Sequence, residues 1–170
     1  LDCFEHSENN VLLGNLVARI RMCILYYYAG LKGRLVIGSS NKTELLLGYF
    51  TKYGDGAADL LPLGELYKTE IIGLGKHLKI PNSILQKKSS ARLWTGQVTE
   101  EELGLPFSQL DLVIDKLIDS PKKKMQEDMQ EYHLGFPEEI DLKSIQKIQN
   151  LIITNKHKLT FPPVCNLSTK

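Results

Sequence analysis

The segment Leu35-Val36-Ile37-Gly38-Ser39-Ser40-Asn41-Lys42-Thr43-Glu44 carries the clearest structural signal in the chain. Its three apolar residues, bounded by a glycine and two serines, are typical of a short strand buried in a parallel sheet. The asparagine at position 41 and the glutamate three positions later form a capping box, which predicts the start of a helix. A strand, a tight turn and a helix in succession predict an α/β fold, in which helices flank a parallel sheet.

Helical periodicity extends on both sides of this segment. Apolar residues spaced three and four apart predict a long amphipathic helix from Asn9 to about Gly30. Four more helical patterns follow, from about Lys68 to Leu78, Ser108 to Asp119, Lys122 to His133 and Glu138 to Asn155. The chain is therefore expected to pack several helices around its strand.

The connection over residues 87–104 is irregular and polar. Because it is longer than the usual connection of about four to six residues, it is predicted to be either a functional lid or a disordered stretch. Thr99 and Glu102 have capping-box spacing and predict a short helix inside it. Residues 159–170 are expected to form a tail.

Composition limits the classes of function. The length of 170 residues is enough for one domain. The 21 Lys and Arg residues nearly balance the 20 Asp and Glu residues, so nonspecific nucleic-acid binding is not expected. The sequence shows no apolar run of about 18 residues and no export signal, so no membrane association is expected. Three scattered cysteines favour reduced thiols and a cytoplasmic location over a disulfide scaffold or a zinc site.

The common nucleotide-binding signatures are missing. The sequence has no G-x-x-x-x-G-K-[ST] loop, and Asp59 stands where a G-x-G-x-x-G motif begun by Gly54-Asp55-Gly56 requires glycine. Composition and spacing alone therefore indicate an α/β domain with one polar loop over residues 53–59.

Six short segments follow one another in a fixed order: Gly14-Asn15-x-x-Ala18-Arg19-x-Arg21-Met22, Ile37–Glu44, Gly48–Asp55, Leu66-x-Lys68-Thr69-Glu70, Ser89-Ser90-Ala91-x-Leu93-Trp94-x-Gly96-Gln97 and Lys156-His157-Lys158. Together they resemble the ammonia-dependent NAD synthetases, which are ATP pyrophosphatases. The resemblance runs from about Gly14 to Lys158. It implies a Rossmann-like, adenine nucleotide alpha hydrolase-like fold and a homodimer with the Asn9–Gly30 helix in its interface.

The resemblance also implies a reaction. The carboxylate of deamido-NAD attacks the α-phosphorus of ATP and releases pyrophosphate, and ammonia then displaces AMP from the acyl-adenylate to give NAD. Such chemistry needs cations around the phosphoryl group, Mg²⁺ on the pyrophosphate, and exclusion of water. ATP as co-substrate and Mg²⁺ are therefore the expected small-molecule partners, together with deamido-NAD and ammonia.

Several residues match the family's ATP, metal and catalytic positions. The resemblance assigns ATP contacts to Ser39, Lys68 and Ser90, and the Mg²⁺ ligand to Glu44. Lys68 is also expected to act in catalysis. Asp55 is the candidate to hold ammonium and accept its proton. From the residues alone, Glu44 could equally be the glutamate of a capping box, Lys68 a surface lysine and Asp55 a turn aspartate.

A further set matches the positions that bind deamido-NAD. This set consists of Arg19, Lys52, Asp59, His157 and Lys158. Arginine suits a phosphate or carboxylate, and aspartate suits a ribose hydroxyl or an amide. The basic residues that often follow the His-Lys pair in the family are here Leu159 and Thr160.

The largest departure from the family is the missing pyrophosphate loop, a Ser-Gly-Gly-x-Asp-Ser type sequence. We expect residues 1–170 to be the C-terminal portion of a single NAD synthetase domain, incomplete at its N-terminal side. Two alternatives stay open. One is another ATP-pyrophosphatase amidotransferase, of the kind that includes GMP synthetase, and the other is a non-catalytic remnant that binds a dinucleotide or dimerises.

Overall fold

The computed structural model describes residues 8–119, 135–165 and 167. Seven α-helices lie within these residues: α1 (Asn10–Lys32), α2 (Lys42–Leu47), α3 (Lys68–His77), α4 (Asn82–Leu85), α5 (Thr99–Leu103), α6 (Phe107–Asp119) and α7 (Leu142–Asn155). A 3-10 helix, Lys156–Leu159, follows α7 directly. The predicted helices at positions 9–30, 68–78 and 108–119 are confirmed within two residues at each end.

Capping residues define both ends of helix α1, Asn9 at the start and Gly33 at the end. The Asn9 side chain accepts hydrogen bonds from the backbone N–H groups of Val11 and Leu12, at 2.9 and 3.3 Å. Gly33 ends the helix in the left-handed conformation, with φ +58°. Only Gly14 and Ala18 of α1 are fully buried. The helix therefore packs on the rest of the chain along one narrow face.

Within the described residues, α1 is also the one helix that is long and apolar enough to cross a membrane, by length and composition. Two arginines near its centre donate hydrogen bonds to backbone carbonyl groups of neighbouring loops. Arg19 donates to Lys52, and Arg21 donates to Ala91 and Arg92. These contacts hold α1 against the loops of the same chain.

The segment after α1 forms less sheet than its sequence predicts. Ile37 makes one isolated parallel bridge, to Leu60, and backbone N–H groups of Gly38 and Asp59 donate across it at 2.9 Å. Val36 is buried, but Leu35 is 73% exposed and Ile37 67% exposed. The predicted burial of this strand in a parallel sheet is therefore not confirmed, because no second layer of the described residues covers its other face.

The predicted capping box that opens α2 is confirmed. The Asn41 side chain accepts from the Glu44 backbone N–H at 3.0 Å, and the Glu44 carboxylate accepts from the Asn41 N–H at 3.2 Å. Gly48 ends α2 with φ +63°. A Cβ atom at this glycine would lie 2.2 Å from the Cβ of Asn155 in α7. The end of α2 therefore fits tightly against α7.

The main hydrophobic core lies between α2, α6 and α7, and α3 packs against α6. We call these four helices the helical cluster. Its most deeply buried side chains are 0–1% exposed and come from three of these helices and from the turn before α7: Leu47, Leu110, Val113, Ile114, Ile140, Ile145 and Ile148. Burying apolar side chains this completely is the main source of stability for the cluster.

The later part of the chain departs from prediction in two places. The short helix α5 is present, but Val98 occupies its N-cap position and Thr99 is already helical, so the capping box predicted at Thr99 and Glu102 is wrong. Helix α7 begins at Leu142 instead of Glu138, because the Asp141 side chain caps it by accepting from the Ser144 N–H at 2.7 Å.

The remaining predictions concern the ends of the described regions. Residues 161–165 have no regular secondary structure, and Phe161 and Val164 are more than 90% exposed. The helix predicted over 122–133 lies outside the described residues, as does the Cys3-x-x-His6 pair. Cys23 and Cys165 are exposed free thiols. No group of three or more potential metal-binding side chains of the His, Cys, Asp and Glu types occurs in the described part of the chain.

Candidate functional site

A cleft of about 470 Å³ lies where α1, the Val36–Ser40 segment and the first residues of α2 and α3 meet. The loop at Gly54–Ala57 and the segment Ser89–Leu93 complete its wall. Five of the predicted site residues line it: Ser39, Glu44, Asp55, Lys68 and Ser90. The fold therefore brings together the residues predicted to bind ATP, to bind metal and to act in catalysis, although they are distant in the sequence.

Glu44 serves both the helix cap and the cleft. Its Oε2 atom accepts the capping hydrogen bond from Asn41, while the side chain lines the cleft. Burial raises the pKa of this carboxyl, the positive charge of Lys68 opposes the shift, and the negative charge of Asp55 adds to it. Glu44 is therefore a partly buried carboxylate that interacts electrostatically with the Lys68 ammonium and the Asp55 carboxylate.

Lys68 is the first residue of α3 and lies near the same carboxylate. Its backbone N–H donates to the hydroxyl of Thr43 at 3.0 Å, and its ammonium lies 5.4 Å from the centre of the Phe107 ring. Because Thr43 directly precedes Glu44, this bond joins the beginnings of α2 and α3. A lysine placed in this way supplies a compact positive charge to an anion in the cleft.

Asp55 occupies a tight turn on the opposite wall. Its Oδ1 atom accepts from the Thr51 backbone N–H at 2.9 Å, as expected of a turn aspartate. The Thr51 hydroxyl in turn contacts the Asn15 side-chain oxygen of α1 at 2.6 Å. A Cβ atom at Gly54 would lie 3.1 Å from the Cβ of Ala18, so the turn packs closely on α1. The carboxylate is thus held by its turn and stays exposed to the cleft.

The two serines are at the edges of the cleft. Ser39 is exposed just beyond the parallel bridge. The Ser90 hydroxyl accepts from the Arg92 N–H at 3.1 Å, and the guanidinium of Arg21 contacts the carbonyl groups on either side of that amide at 3.4 Å. Helix α1 therefore holds the segment that presents Ser90.

Four of the five residues predicted to bind deamido-NAD form a second group outside the cleft wall. Arg19 donates to the Lys52 carbonyl at 3.3 Å, and the Lys52 ammonium donates to the His157 carbonyl at 2.7 Å. The Lys158 ammonium donates to the carbonyls of Gly48 and Phe50 at 2.7 and 3.0 Å. We call Arg19, Lys52, His157 and Lys158 the basic row.

The basic row and the cleft are electrostatically linked through one carboxylate. Burial lowers the pKa of the Lys158 ammonium, and the negative charge of Asp55 opposes that shift. Asp59 is separate from the row, because its carboxylate accepts from the Val36 N–H at 2.7 Å and from the Tyr26 hydroxyl at 3.3 Å. The structure therefore does not bring Asp59 into contact with the other four residues.

Two residues of this region were missed by sequence reasoning. Tyr49 lines the cleft and donates its hydroxyl to the Glu102 carboxylate at 2.9 Å. Burial, together with this hydrogen bond, raises the pKa of Tyr49 to about 12. Asp111 of α6 is buried below the starts of α2 and α3 and binds both. A carboxylate among the apolar positions of an amphipathic helix is a signal that could have identified it.

Comparison with known proteins gives the family. The family model described as NAD synthase matches residues 1–162. The chain belongs to this family. The NH3-dependent NAD+ synthetase of Methanococcoides burtonii is 44% identical over 154 residues, which cover 91% of the chain and 56% of that relative. The enzyme of the same name from Saccharolobus solfataricus is 44% identical over 162 residues, covering 95% of the chain and 56% of the relative.

The resemblance inferred from the six segments is thereby confirmed. The chain spans little more than half the length of the curated relatives that it matches.

Solved structures of the same family match the fold. An NMN synthetase from Francisella tularensis matches with a TM-score of 0.75 and 37% identity, over 95% of this chain and 59% of its own. The NH3-dependent NAD synthetase from Campylobacter jejuni, solved in complex with nitrate, matches with a TM-score of 0.68 and 32% identity, over 95% of this chain and 58% of its own. The described helices are therefore arranged as in NAD and NMN synthetases.

Proposed function

We propose that the protein containing this chain amidates deamido-NAD with ammonia, at the expense of ATP, to give NAD, AMP and pyrophosphate through an acyl-adenylate. The observation that carries the proposal is the convergence of Glu44, Asp55 and Lys68 on one cleft, with Ser39 and Ser90 at its edges. Membership of the NAD synthase family supports the same reaction. A Rossmann-like parallel sheet, continued beyond the bridge between Ile37 and Leu60, is the framework that we propose for it.

Each cleft residue has a task in adenylation. The Lys68 ammonium attracts the phosphate oxygens, which gather negative charge when the nicotinate carboxylate attacks the α-phosphorus and pyrophosphate leaves. The hydroxyls of Ser39 and Ser90 can donate to phosphate or ribose oxygens. The segment 87–104, which presents Ser90, is proposed to act as the lid that keeps water from the acyl-adenylate.

The cleft also fits a divalent cation that is held largely by its substrate. Mg²⁺ is usually bound by one or two carboxylates, with phosphate oxygens and water completing its shell. Glu44 supplies such a carboxylate, and the Oε2 atom used for capping retains lone pairs for a second partner. When bound, Mg²⁺ would neutralise charge on the pyrophosphate. We propose Glu44 as its ligand in this chain.

Asp55 is proposed to receive ammonia. Ammonium must lose a proton before its nitrogen can attack the acyl-adenylate carbonyl, and a carboxylate beside the cleft can bind the cation and accept that proton. The nitrogen lone pair then forms the amide bond as AMP leaves. The basic row begins beyond Asp55 and provides donors for the phosphates of deamido-NAD, while Asp59 offers an acceptor for a hydroxyl or amide.

The test of the proposal is NAD formation by the full-length native protein with deamido-NAD, ATP, Mg²⁺ and ammonium. We expect Glu44→Gln and Lys68→Met each to lower kcat/KM by about 10²–10³-fold, as removal of one stabilising group in an active site does. Glu139→Gln and Lys76→Met are the matched controls, because both side chains are exposed and lie outside the cleft and outside the segment 87–104. Wild-type rates in the two cleft variants would refute the proposed site.

The non-catalytic alternative predicts different binding of deamido-NAD. A remnant that only binds a dinucleotide would bind deamido-NAD equally with and without Mg²⁺-ATP and would form no NAD. The enzyme instead requires coupled binding, because ATP and the nicotinate carboxylate must meet in one cleft. Calorimetric titration of deamido-NAD, with and without Mg²⁺-ATP, separates the two.

A second acceptor substrate is favoured by one comparison. The Francisella tularensis protein that matches with a TM-score of 0.75 is an NMN synthetase. We therefore propose nicotinate mononucleotide as the competing acceptor, which lacks the adenylate half of deamido-NAD. If the basic row binds that half, Lys52→Met will lower kcat/KM for deamido-NAD and leave kcat/KM for the mononucleotide unchanged. Equal losses for both substrates would remove the row from adenylate recognition.

We propose that two copies pair along α1. This helix exposes large apolar side chains in its first turn and over its last turns, each more than half exposed: Val11, Leu12, Ile24, Leu25, Tyr27, Tyr28 and Leu31. Apolar and aromatic residues of this kind are enriched at the centres of homodimer interfaces. Ile24→Glu is expected to convert the dimer to a monomer in sedimentation velocity. Ile153→Glu, on α7, replaces an isoleucine that is 63% exposed, against 52% for Ile24, and should leave the dimer intact.

A further inference from the structure

Asp111 lies on α6, and its side chain ties together the beginnings of two other helices. The residue is only 6% exposed. Its Oδ1 atom accepts from the Thr43 hydroxyl of α2 at 2.5 Å. Its Oδ2 atom accepts from both the backbone N–H and the hydroxyl of Thr69 of α3, at 2.9 and 2.7 Å. One buried carboxylate thus receives three hydrogen bonds from two helix starts.

The two threonines are the immediate neighbours of the cleft residues. Thr43 precedes Glu44, and Thr69 follows Lys68. The Thr43 hydroxyl donates to Asp111 and accepts the Lys68 backbone N–H at 3.0 Å. The resulting network runs from the residue beside Glu44, through Asp111, to the residue beside Lys68. It therefore fixes the separation of the two helix starts that carry these side chains.

A carboxylate is the group that suits this arrangement. It has acceptor sites only, and all three of its partners here are donors. An apolar side chain would fill the space but would remove the acceptor for the Thr69 N–H and for the hydroxyl hydrogen of Thr43, whose side chain is fully buried. Leaving a buried donor without an acceptor costs about 1–3 kcal/mol. Burying a charge next to the core is costly in itself, so general packing does not explain the choice of aspartate at this position.

We propose that Asp111 is a positioning residue that sets the distance between the Glu44 carboxylate and the Lys68 ammonium, and thereby the affinity of the cleft for Mg²⁺-ATP. The inference rests on the proposed function. Asp111 does not line the cleft, so it acts through Thr43 and Thr69. Loss of a group that orients binding residues typically costs about 10–100-fold in metal affinity or activity.

The experiment is Asp111→Asn in the full-length native protein, with Asp115→Asn as its control. Asp115 lies one turn further along α6 and accepts from the Tyr67 hydroxyl at 3.0 Å. We expect Asp111→Asn to raise the KM for ATP and the Mg²⁺ concentration for half-maximal rate by about 10–100-fold. The KM for deamido-NAD, measured at saturating Mg²⁺-ATP, should not change. Asp115→Asn should match wild type in the KM for ATP, the KM for deamido-NAD and the half-maximal Mg²⁺ concentration.

A pair of milder variants covers the case in which Asp111→Asn does not fold. Thr69→Val removes one hydroxyl hydrogen bond at an exposed position, and Thr69→Ser restores it. Thr69→Val is expected to raise the KM for ATP and the Mg²⁺ concentration for half-maximal rate. Thr69→Ser should return both values to those of wild type. Wild-type constants in Asp111→Asn, or in Thr69→Val when Asp111→Asn is unfolded, would overturn the inference. So would a loss of thermal stability in Asp111→Asn without any change in the constants.

The experiment distinguishes failure of the proposed function from failure of the positioning role of Asp111. A wild-type protein that neither binds Mg²⁺-ATP nor forms NAD refutes that function, and with it the role of Asp111 in it. A wild-type protein that forms NAD normally, beside Asp111→Asn and Thr69→Val proteins with unchanged constants, refutes only the positioning role.

Discussion

The helical cluster leaves Leu110, Ile114 and Ile148 completely inaccessible to solvent, whereas Leu35 and Ile37 beside α1 are about two-thirds to three-quarters exposed. The two regions have similarly apolar sequences, so composition does not explain the contrast. Within the described residues, the apolar side chains of the cluster are buried against one another. In the region of α1 and the strand residues, apolar side chains stay exposed, and these are the surfaces that we propose for a neighbouring strand and for a second copy of the chain. Similar hydrophobicity therefore accompanies complete burial in one region and exposure in the other.

The strongest test of this contrast compares two isoleucines. Ile114→Ala, in the cluster, should lower the free energy of unfolding by about 2–5 kcal/mol, because it removes buried methyl groups and leaves a cavity. Ile24→Ala, on α1, should change the stability of the isolated chain by no more than about 0.5 kcal/mol, because the side chain is already half exposed. Urea denaturation measures both.

Protein concentration sharpens that test. If α1 pairs with a second copy, the Ile24→Ala loss should grow with protein concentration, whereas the Ile114→Ala loss should not. A loss at Ile24 that equals the loss at Ile114 at every concentration would mean that α1 is part of the internal core.

The glycines that end α1 and α2 give a smaller, matched comparison. Both adopt left-handed conformations, with φ +58° at Gly33 and +63° at Gly48. Gly33→Ala should cost about 1 kcal/mol from backbone strain alone, since nothing lies within 4 Å of the added methyl group. Gly48→Ala should cost about 2–4 kcal/mol, because the methyl group also collides with Asn155.

Thermal unfolding of the two alanine variants checks this difference. Equal costs would show that the end of α2 packs no more tightly against its surroundings than the end of α1.

The smallest expected effect is a pH dependence at Tyr49. Its pKa of about 12 lies above the ordinary tyrosine value of 10.0, so its stabilising contribution is complete below about pH 10 and is lost as the pH rises through 12. Tyr49→Phe should cost about 1 kcal/mol near neutral pH, from the lost hydrogen bond to Glu102. It should also abolish a late step in the tyrosinate absorbance titration.

Tyr28→Phe is the control for this titration, because Tyr28 belongs to α1 and is 53% exposed. It removes one tyrosine but keeps the hydrogen bond from Tyr49 to Glu102. If the late step survived in Tyr49→Phe, the raised pKa would belong to another tyrosine.

Local rules predicted the helices well and the strand poorly. The starts of α1 and α2 depend on asparagine side chains and backbone groups within a few residues, so the sequence contains all the information that they need. The burial of Leu35 and Ile37 depends on which other surfaces reach them, and no local pattern contains that information. The helix at 138–155 was predicted four residues too long at its start for a local reason, since Asp141 is the stronger cap.

The site was predictable only in part. The family resemblance named Glu44 and Lys68, the chemistry of ammonia named Asp55, and the structure places all three on one cleft. The resemblance named Asp59 and Arg19 for one ligand, but the structure holds Asp59 at the strand and Arg19 on Lys52. Helix caps and charges can be located along a sequence, but their distances to one another are set by tertiary packing.

The contacts of the basic row have a consequence for the order of folding. Lys52 and Lys158 anchor the loop that carries Asp55 through hydrogen bonds between residues 105, 108 and 110 positions apart. Helices α2 and α7 of the helical cluster are joined over a comparable separation, because the Asn155 side chain donates to the Leu47 carbonyl 108 positions away. Contacts of such long range form late, because the chain must first lose the entropy of closing a large loop. Docking of α7 on α2 therefore brings the 3-10 helix to the Asp55 loop, and the two sets of contacts form together. Removing residues after Asn155 should thus leave a folded but catalytically disorganised protein.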